Sequence, residues 1–264
     1  PTHYTTSDAI HPLRPAAVRI ALFTDIHANR EAFSACLNHA HSLKPDRYVF
    51  LGDLVGYGAD PGWVVDTVMD YVGRGALCVM GNHDDAVIRP LRPTMQPDAR
   101  RAIEWTRAQL NPSHIEFISR LPLTAQSDDC LFVHANAWAP AQWEYITSAV
   151  DARSSMAATT ARYTFCGHIH EPMLYNIGRD AHAVAFKPVA GTPIPLGTQR
   201  RWLAIPGSVG QPRDGVVAAS YAVLDTGPPC ITAAVMPRAN SDMPFSLGVQ
   251  PNCRLVCSSQ TVCM

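Results

Sequence analysis

The stretch Val18–Leu43, "VRIALFTDIHANREAFSACLNHAHSL", carries two different periodicities on either side of a short polar cluster. Its first part is apolar and β-branched, as a buried strand requires. Its last part places Phe33, Cys36, Leu37, Ala40 and Leu43 on one helical face, with Asn29 as the N-cap. Asp25 and His27 stand between the two. The plan recurs along the chain: "RYVFL" runs into "GDLVGYG", and Asp60 with Pro61 opens the helix "GWVVDTVMDYV". "ALCVM" runs into "GNHD", "LFV" into "HAN", and "YTFC" into "GHIHEP". Strands alternating with helices predict an α/β protein with a largely parallel sheet.

Beyond the third strand, the prolines of "IRPLRPTMQP" predict a loop, and "DARRAIEWTRAQL" a helix that stops at Asn111 and Pro112. Ser113 and Glu116 have the spacing of a capping box for a short helix through Arg120. After Gly167, "AHAVAFKPV", "RRWLAIPG" and "AASYAVL" read as strands joined by loops, which predicts a second sheet packed on the first. Residues 1–17 read as a disordered lead and 18–226 as the domain. Residues 227–264 form an atypical tail, poor in charge and rich in Pro and Cys, with one candidate strand at "CITAAVM". Its abrupt change of composition predicts a segment of non-native origin that the fold can spare.

Composition narrows the function. The chain has 264 residues, and its 21 Lys and Arg balance 22 Asp and Glu. No basic groove is indicated, so nucleic acid is not favoured as a partner. The arginines of "ARRAIEWTRAQL" spread around a helix as a solvated face. No apolar run reaches the roughly 18 residues of a membrane span, and the first residues lack the apolar core of a signal peptide. The expected setting is soluble and cytoplasmic, without a membrane. Of eight cysteines, Cys36, Cys78, Cys130 and Cys166 fall inside apolar elements, as reduced thiols do. Cys230, Cys253, Cys257 and Cys263 lack the spacing of a zinc site. The sequence says nothing about oligomeric state.

Each strand ends in potential metal ligands: Asp25 and His27, Asp53, Asn82 with His83 and Asp84, His134, and His168 with His170. Singly, each is compatible with an ordinary turn. Five successive clusters at strand ends are not, because ligands of α/β sheets gather beyond the carboxyl ends of the strands. Residues two apart, such as Asp25 and His27, share a side if the extended backbone continues. Histidine and carboxylate without cysteine favour Mn, Fe, Zn, Ni or Co. So many candidates exceed one tetrahedral ion. They suit two divalent ions about 3.5–4 Å apart, the usual device for activating water against a phosphoryl group.

The ordered set "DIH", "GDLVGYG", "GNHD", "VHAN" and "GHIH" resembles the calcineurin-like metallophosphoesterase superfamily over roughly Val18–Leu224. The resemblance implies a four-layer αββα sandwich of two sheets flanked by helices. It also implies that Asp25, His27 and His170 hold one metal, that Asn82, His134 and His168 hold the other, and that Asp53 bridges them. A metal-bridging hydroxide would attack phosphorus. His83 would stabilise the phosphoryl oxygens or protonate the leaving group, with Asp84 orienting it through a hydrogen bond.

Serine/threonine protein phosphatases of this superfamily carry "GDxVDRG" and "GNHE", and the Asp-Arg pair is missing here. "DIHAN", "GDLVGYGADP" and "PGSVGQPRDG" are instead similar to the bacterial and archaeal phosphodiesterase or phosphatase subgroup often grouped with diadenosine tetraphosphatases. In the last segment Arg213 is a candidate phosphate contact, the alternative being an exposed arginine on a connecting hairpin. The expected substrate is a small-molecule or nucleotide phosphoester. A catalytically weak scaffold on the same fold is the alternative, although every ligand position is filled. A nuclease is disfavoured by the charge balance.

Overall fold

The computed structural model describes residues 17–93, 96–179 and 182–237. Residues 1–16 of the expected lead at 1–17, and the segment 238–264, lie outside the described residues. Twelve strands and six α-helices alternate along these residues. In the first half they are β1 (Arg19–Phe23), α1 (Arg30–Ser42), β2 (Arg47–Phe50), α2 (Pro61–Gly73), β3 (Leu77–Cys78), α3 (Asn82–Ile88), α4 (Pro97–Gln109) and α5 (Pro112–Ser119). There follow β4 (Thr124–Ser127), β5 (Cys130–Val133), α6 (Ala149–Ala157), β6 (Tyr163–Phe165), β7 (Met173–Ile177) and β8 (Ala183–Phe186). The last four are β9 (Ile194–Pro195), β10 (Arg201–Ile205), β11 (Ala218–Thr226) and β12 (Pro229–Pro237).

Two mixed six-stranded sheets result, in the orders β3-β2-β1-β11-β12-β9 and β4-β5-β6-β10-β7-β8. Alternation along β1 sorts its side chains between two cores. Ala21 and Phe23 face α1 and α2, packing with Phe33, Cys36, Val64 and Val68. Ile20 and Leu22 face the other sheet and meet Phe132, Phe165 and Trp202. A third core lies between α6 and the outer face of the second sheet, built from Val133, Met156, Cys166 and Leu203. Helices, sheet, sheet and helix make the four-layer αββα sandwich.

Local chemistry explains the helix starts. Asn29 accepts the Ala32 N–H at 3.1 Å and caps α1, and Asp60 precedes a first-turn Pro61 in α2. The capping box of α5 lies earlier than Ser113 and Glu116. Asn111 is the cap and His114 its reciprocal partner, because Pro112 fits the first helical position and draws the start forward. The "GNHDD" segment opens α3. Asp85 lies in its first turn and pairs with Arg89 at 2.6 Å.

Two larger expectations are corrected. "AASYAVL" belongs to the first sheet, not the second. As β11 it pairs antiparallel with β1, whereas "LFV" and "YTFC" (β5 and β6) lie in the second sheet. The domain also does not end at residue 226. The candidate strand at "CITAAVM" is real, and β12 pairs with β11 from Thr226↔Pro229 to Ala218↔Pro237. Cys230, Ile231, Ala233, Ala234 and Met236 are buried there. An apolar strand with no helical period still completes a sheet when both faces are covered. No helix among the described residues is long and apolar enough to cross a membrane.

Candidate metal centre

The loops after β1, β2, β3, β5 and β6 meet where the two sheets adjoin, so the strand-end clusters come from both sheets rather than one edge. The backbone there is not extended. Asp25, His27, Asp53, His168 and His170 have φ of 53°, 48°, 53°, 71° and 65°, the left-handed region that non-glycine residues avoid. Backbone bonds hold it: the Asp25 and His27 N–H groups donate to the carbonyls of Gly52 and Asp53, at 3.1 and 3.0 Å. Gly81 lets the third loop close in, since a side chain there would collide with the Asp53 backbone and carboxylate.

Two groups of ligand atoms form within 4.8 Å: Asp25, His27, Asp53 and His170, and Asp53, His134 and His168. Asp53 belongs to both. Its Oδ2 lies 3.6 Å from His27 Nε2 and 3.4 Å from His134 Nε2. Asn82 Oδ1 is 3.1 Å from His134 Nε2, which adds it to the second group. Asp25 Oδ1 faces His170 Nε2 at 3.2 Å, while Oδ2 accepts from Thr24 Oγ1 at 2.8 Å.

Backbone carbonyls fix the imidazole tautomers. Nδ1 of His27, His134 and His170 lies 3.0, 2.7 and 2.6 Å from the carbonyls of Val55, Leu51 and Gln211. A carbonyl only accepts, so these Nδ1 atoms carry the protons and the Nε2 lone pairs turn inward. His168 is reversed: Nε2 donates to the Trp143 carbonyl at 2.9 Å, and its buried Nδ1 has no hydrogen-bond partner. Lone pairs therefore face lone pairs. His27 Nε2 is 3.2 Å from His170 Nε2, a contact that a cation between acceptors makes favourable. The donor set of imidazole, carboxylate and amide fits divalent transition ions.

Electrostatics agree. Burial alone would raise Asp25, but the imidazoles of His170 and His134 hold it well below the usual carboxylate range. Burial opposes and His134 and His83 drive the same fall in Asp53. Burial lowers His27 to about 3, and burial with the His134 charge lowers His168 to about 4. His134 goes the other way: against burial, the Asp53 carboxylate pushes it up to about 9. The position between His134 and Asp53 attracts positive charge.

Beside the cluster opens a cleft of about 450 Å³ lined by His83, Tyr57, Tyr145, His168, Arg92 and Arg213 among others. His83 packs edge-on against His27, with ring centroids 4.9 Å apart, and Arg213 stands on the same wall as Tyr57.

Residues 18–228 match the calcineurin-like phosphoesterase superfamily domain. The chain belongs to this superfamily. This calcineurin-like phosphoesterase is 33% identical over 212 residues to the uncharacterized protein MJ0912 of Methanocaldococcus jannaschii, covering 78% of this chain and 82% of that one. A solved metallophosphoesterase from Sphaerobacter thermophilus is 34% identical, with a TM-score of 0.74 over 86% of this chain and 90% of the other. A provisionally assigned diadenosine tetraphosphatase shares the fold at a TM-score of 0.51 and 17% identity, over 84% and 95% of the two chains.

The chain departs from expectation at Asp84. Its carboxylate does not reach His83. Oδ1 accepts the N–H groups of Leu54 and Val55 at 2.9 and 3.3 Å, and Oδ2 that of Gly81 at 3.0 Å. Asp84 thus fastens the second loop to the third, and His83 Nδ1 has no hydrogen-bond partner. Burial and the Asp53 charge raise Asp84 to about 7 despite these amides. His39, His41 and His114 stay outside the site, bonded to Tyr221, Tyr71 and Asp66. Sequence reasoning overlooked Ser208, whose hydroxyl supports the Asp25 carbonyl at 2.9 Å, and the ring of Tyr145. Tyr57 lay in plain sight within "GDLVGYG".

Proposed function

We propose that the chain is a metal-dependent hydrolase that binds two divalent ions, drawn from Mn, Fe, Zn, Ni or Co, and cleaves a small-molecule or nucleotide phosphomonoester or phosphodiester. The observation that supports it best is the sharing of Asp53 between the two ligand groups. Asp25, His27, His170 and Asp53 would hold one ion, and Asn82, His134, His168 and Asp53 the other. Bound there, the ions supply Lewis-acid charge and an activated water for in-line displacement at phosphorus.

The side chains divide the remaining work. The backbone carbonyls of Leu51, Val55, Gln211 and Trp143 keep each imidazole in the tautomer that can ligate. His83 lines the cleft at the cluster, and no protein group claims its Nδ1, so the ring is available to hold a proton for the departing oxygen. Burial lowers its pKa, which makes that proton easier to give up. Arg213 would draw a phosphoryl oxygen to the cleft.

Purified protein, stripped and reconstituted with each metal, would be assayed on p-nitrophenyl phosphate and bis(p-nitrophenyl) phosphate with and without chelator. Metal-dependent release of nitrophenol is expected from at least one ester. His83→Ala should keep its metal and lose about 10²–10⁴ in rate. Inertness towards both esters with every metal would sink the reading.

A further inference from the structure

One wall of the cleft has no part in the hydrolytic chemistry. Tyr145 lies face to face on the His168 imidazole, with centroids 4.0 Å apart and planes 11° from parallel, yet half of the residue is exposed. With His168 against one face, the half-exposed ring is part of the cleft lining. It is also held still. Trp143 and Ile146 on either side are buried, the Trp143 carbonyl is bonded to His168, and Arg92 donates to the Ala141 carbonyl at 2.8 Å. Across the site Tyr57 packs on His83 with centroids 4.6 Å apart, and the Arg213 guanidinium stands beside its hydroxyl.

This places a fixed aromatic shelf on a metal ligand and a guanidinium on the same cleft. A flat ring presents a π-face that stacks on such a shelf. We propose that Tyr145 is a specificity-determining residue, and that the substrate is a phosphoester whose substituent carries a flat aromatic ring, stacked on the open face of Tyr145. Arg213 receives a phosphoryl oxygen in the same pose. The inference rests on the phosphoesterase reading.

Calorimetric binding tests it without turnover. Manganese-loaded protein in a His83→Ala background, which keeps the ligand intact, would be titrated with two matched pairs. Adenosine 5′-monophosphate against ribose 5-phosphate reports a nucleobase, and phenyl phosphate against methyl phosphate reports an aryl ester. In at least one pair the ring-bearing ligand should bind about tenfold tighter or more. Adding Tyr145→Leu should bring that ratio close to one, and adding Tyr145→Phe should preserve it. Equal affinities within both pairs, or a ratio that survives Tyr145→Leu, would overturn the proposal. The two readings fail separately. Turnover of nitrophenyl esters without a ring preference removes only the shelf, and a ring preference in a protein inert with every metal removes only the hydrolase.

Discussion

The Asp84 carboxylate accepts the Gly81 N–H at 3.0 Å, so the residue after His83 braces the turn that precedes it. Its other oxygen takes the Leu54 N–H, and an asparagine cannot accept from both sides. Asp84→Asn is expected to cost about 1–3 kcal/mol. It should lower the melting temperature and weaken metal retention, as read by calorimetry and elemental analysis. His83→Ala, which removes no such bond, opens a cavity beside His27 and Tyr57 but should retain its metal. Loss of rate alone in Asp84→Asn would restore the orienting role that the structure denies it.

Gly81 stands where the third loop packs directly on the second. A methyl group there meets the Asp53 carboxylate and backbone together, and neither is a flexible end. Gly81→Ala is expected to destabilise by about 1–3 kcal/mol through overpacking. It should also displace the carboxylate common to both ligand groups. Chemical unfolding together with metal content would show both effects; wild-type values for both would mean that the loops have room to part.

Asp53 is the member that both groups need. Asp53→Ala should therefore lower bound metal at both positions, whereas His170→Ala and His168→Ala should each impair mainly one. Metal-to-protein ratios after equal reconstitution provide the comparison. Equal losses in all three variants would argue against a shared bridge.

Asn29 joins the cap of α1 to the loop behind His170. Its Oδ1 caps the helix and its Nδ2 donates to the Gly210 carbonyl at 3.0 Å, next to the Gln211 carbonyl that holds the His170 ring. Asn29→Ala should cost about 1 kcal/mol through the lost cap. Asn29→Ser restores the cap without the reach, so it should recover melting temperature but not metal affinity. Full recovery of both in Asn29→Ser would sever the proposed link.

Deletion of residues 229–264 removes an inner strand of the first sheet and leaves one hydrogen-bonding edge of β11 unpaired. Loss of cooperative unfolding is expected, since a nine-residue strand with Cys230, Ile231 and Met236 inside is part of the core. A truncated protein that melts like the parent would return the boundary to residue 226.

Much of this was legible because it rests on local rules. The helical face of Phe33, Cys36, Leu37 and Ala40 and the cap at Asn29 follow from spacing alone, and the clusters of candidate ligands show as polar residues at strand ends. What failed was long-range or reciprocal. No periodicity tells β11 to pair with β1 rather than β10, since that is settled by packing between sheets. The resemblance implied a bond between His83 and Asp84, but α3 begins at Asn82 and the Asp84 carboxylate bonds to Leu54, Val55 and Gly81 instead. Tyr145 left no trace in the sequence, because "QWEYI" has no period and gains its meaning only from the His168 ring beneath it.

The left-handed backbone at Asp25, His27, Asp53, His168 and His170 reaches further than the site it builds. Each such residue costs on the order of 1 kcal/mol or more. Glycine would relieve that cost at every one of the five positions and delete a candidate ligand each time. Selection for thermal stability alone would thus push the main chain towards an inert variant of the same shape.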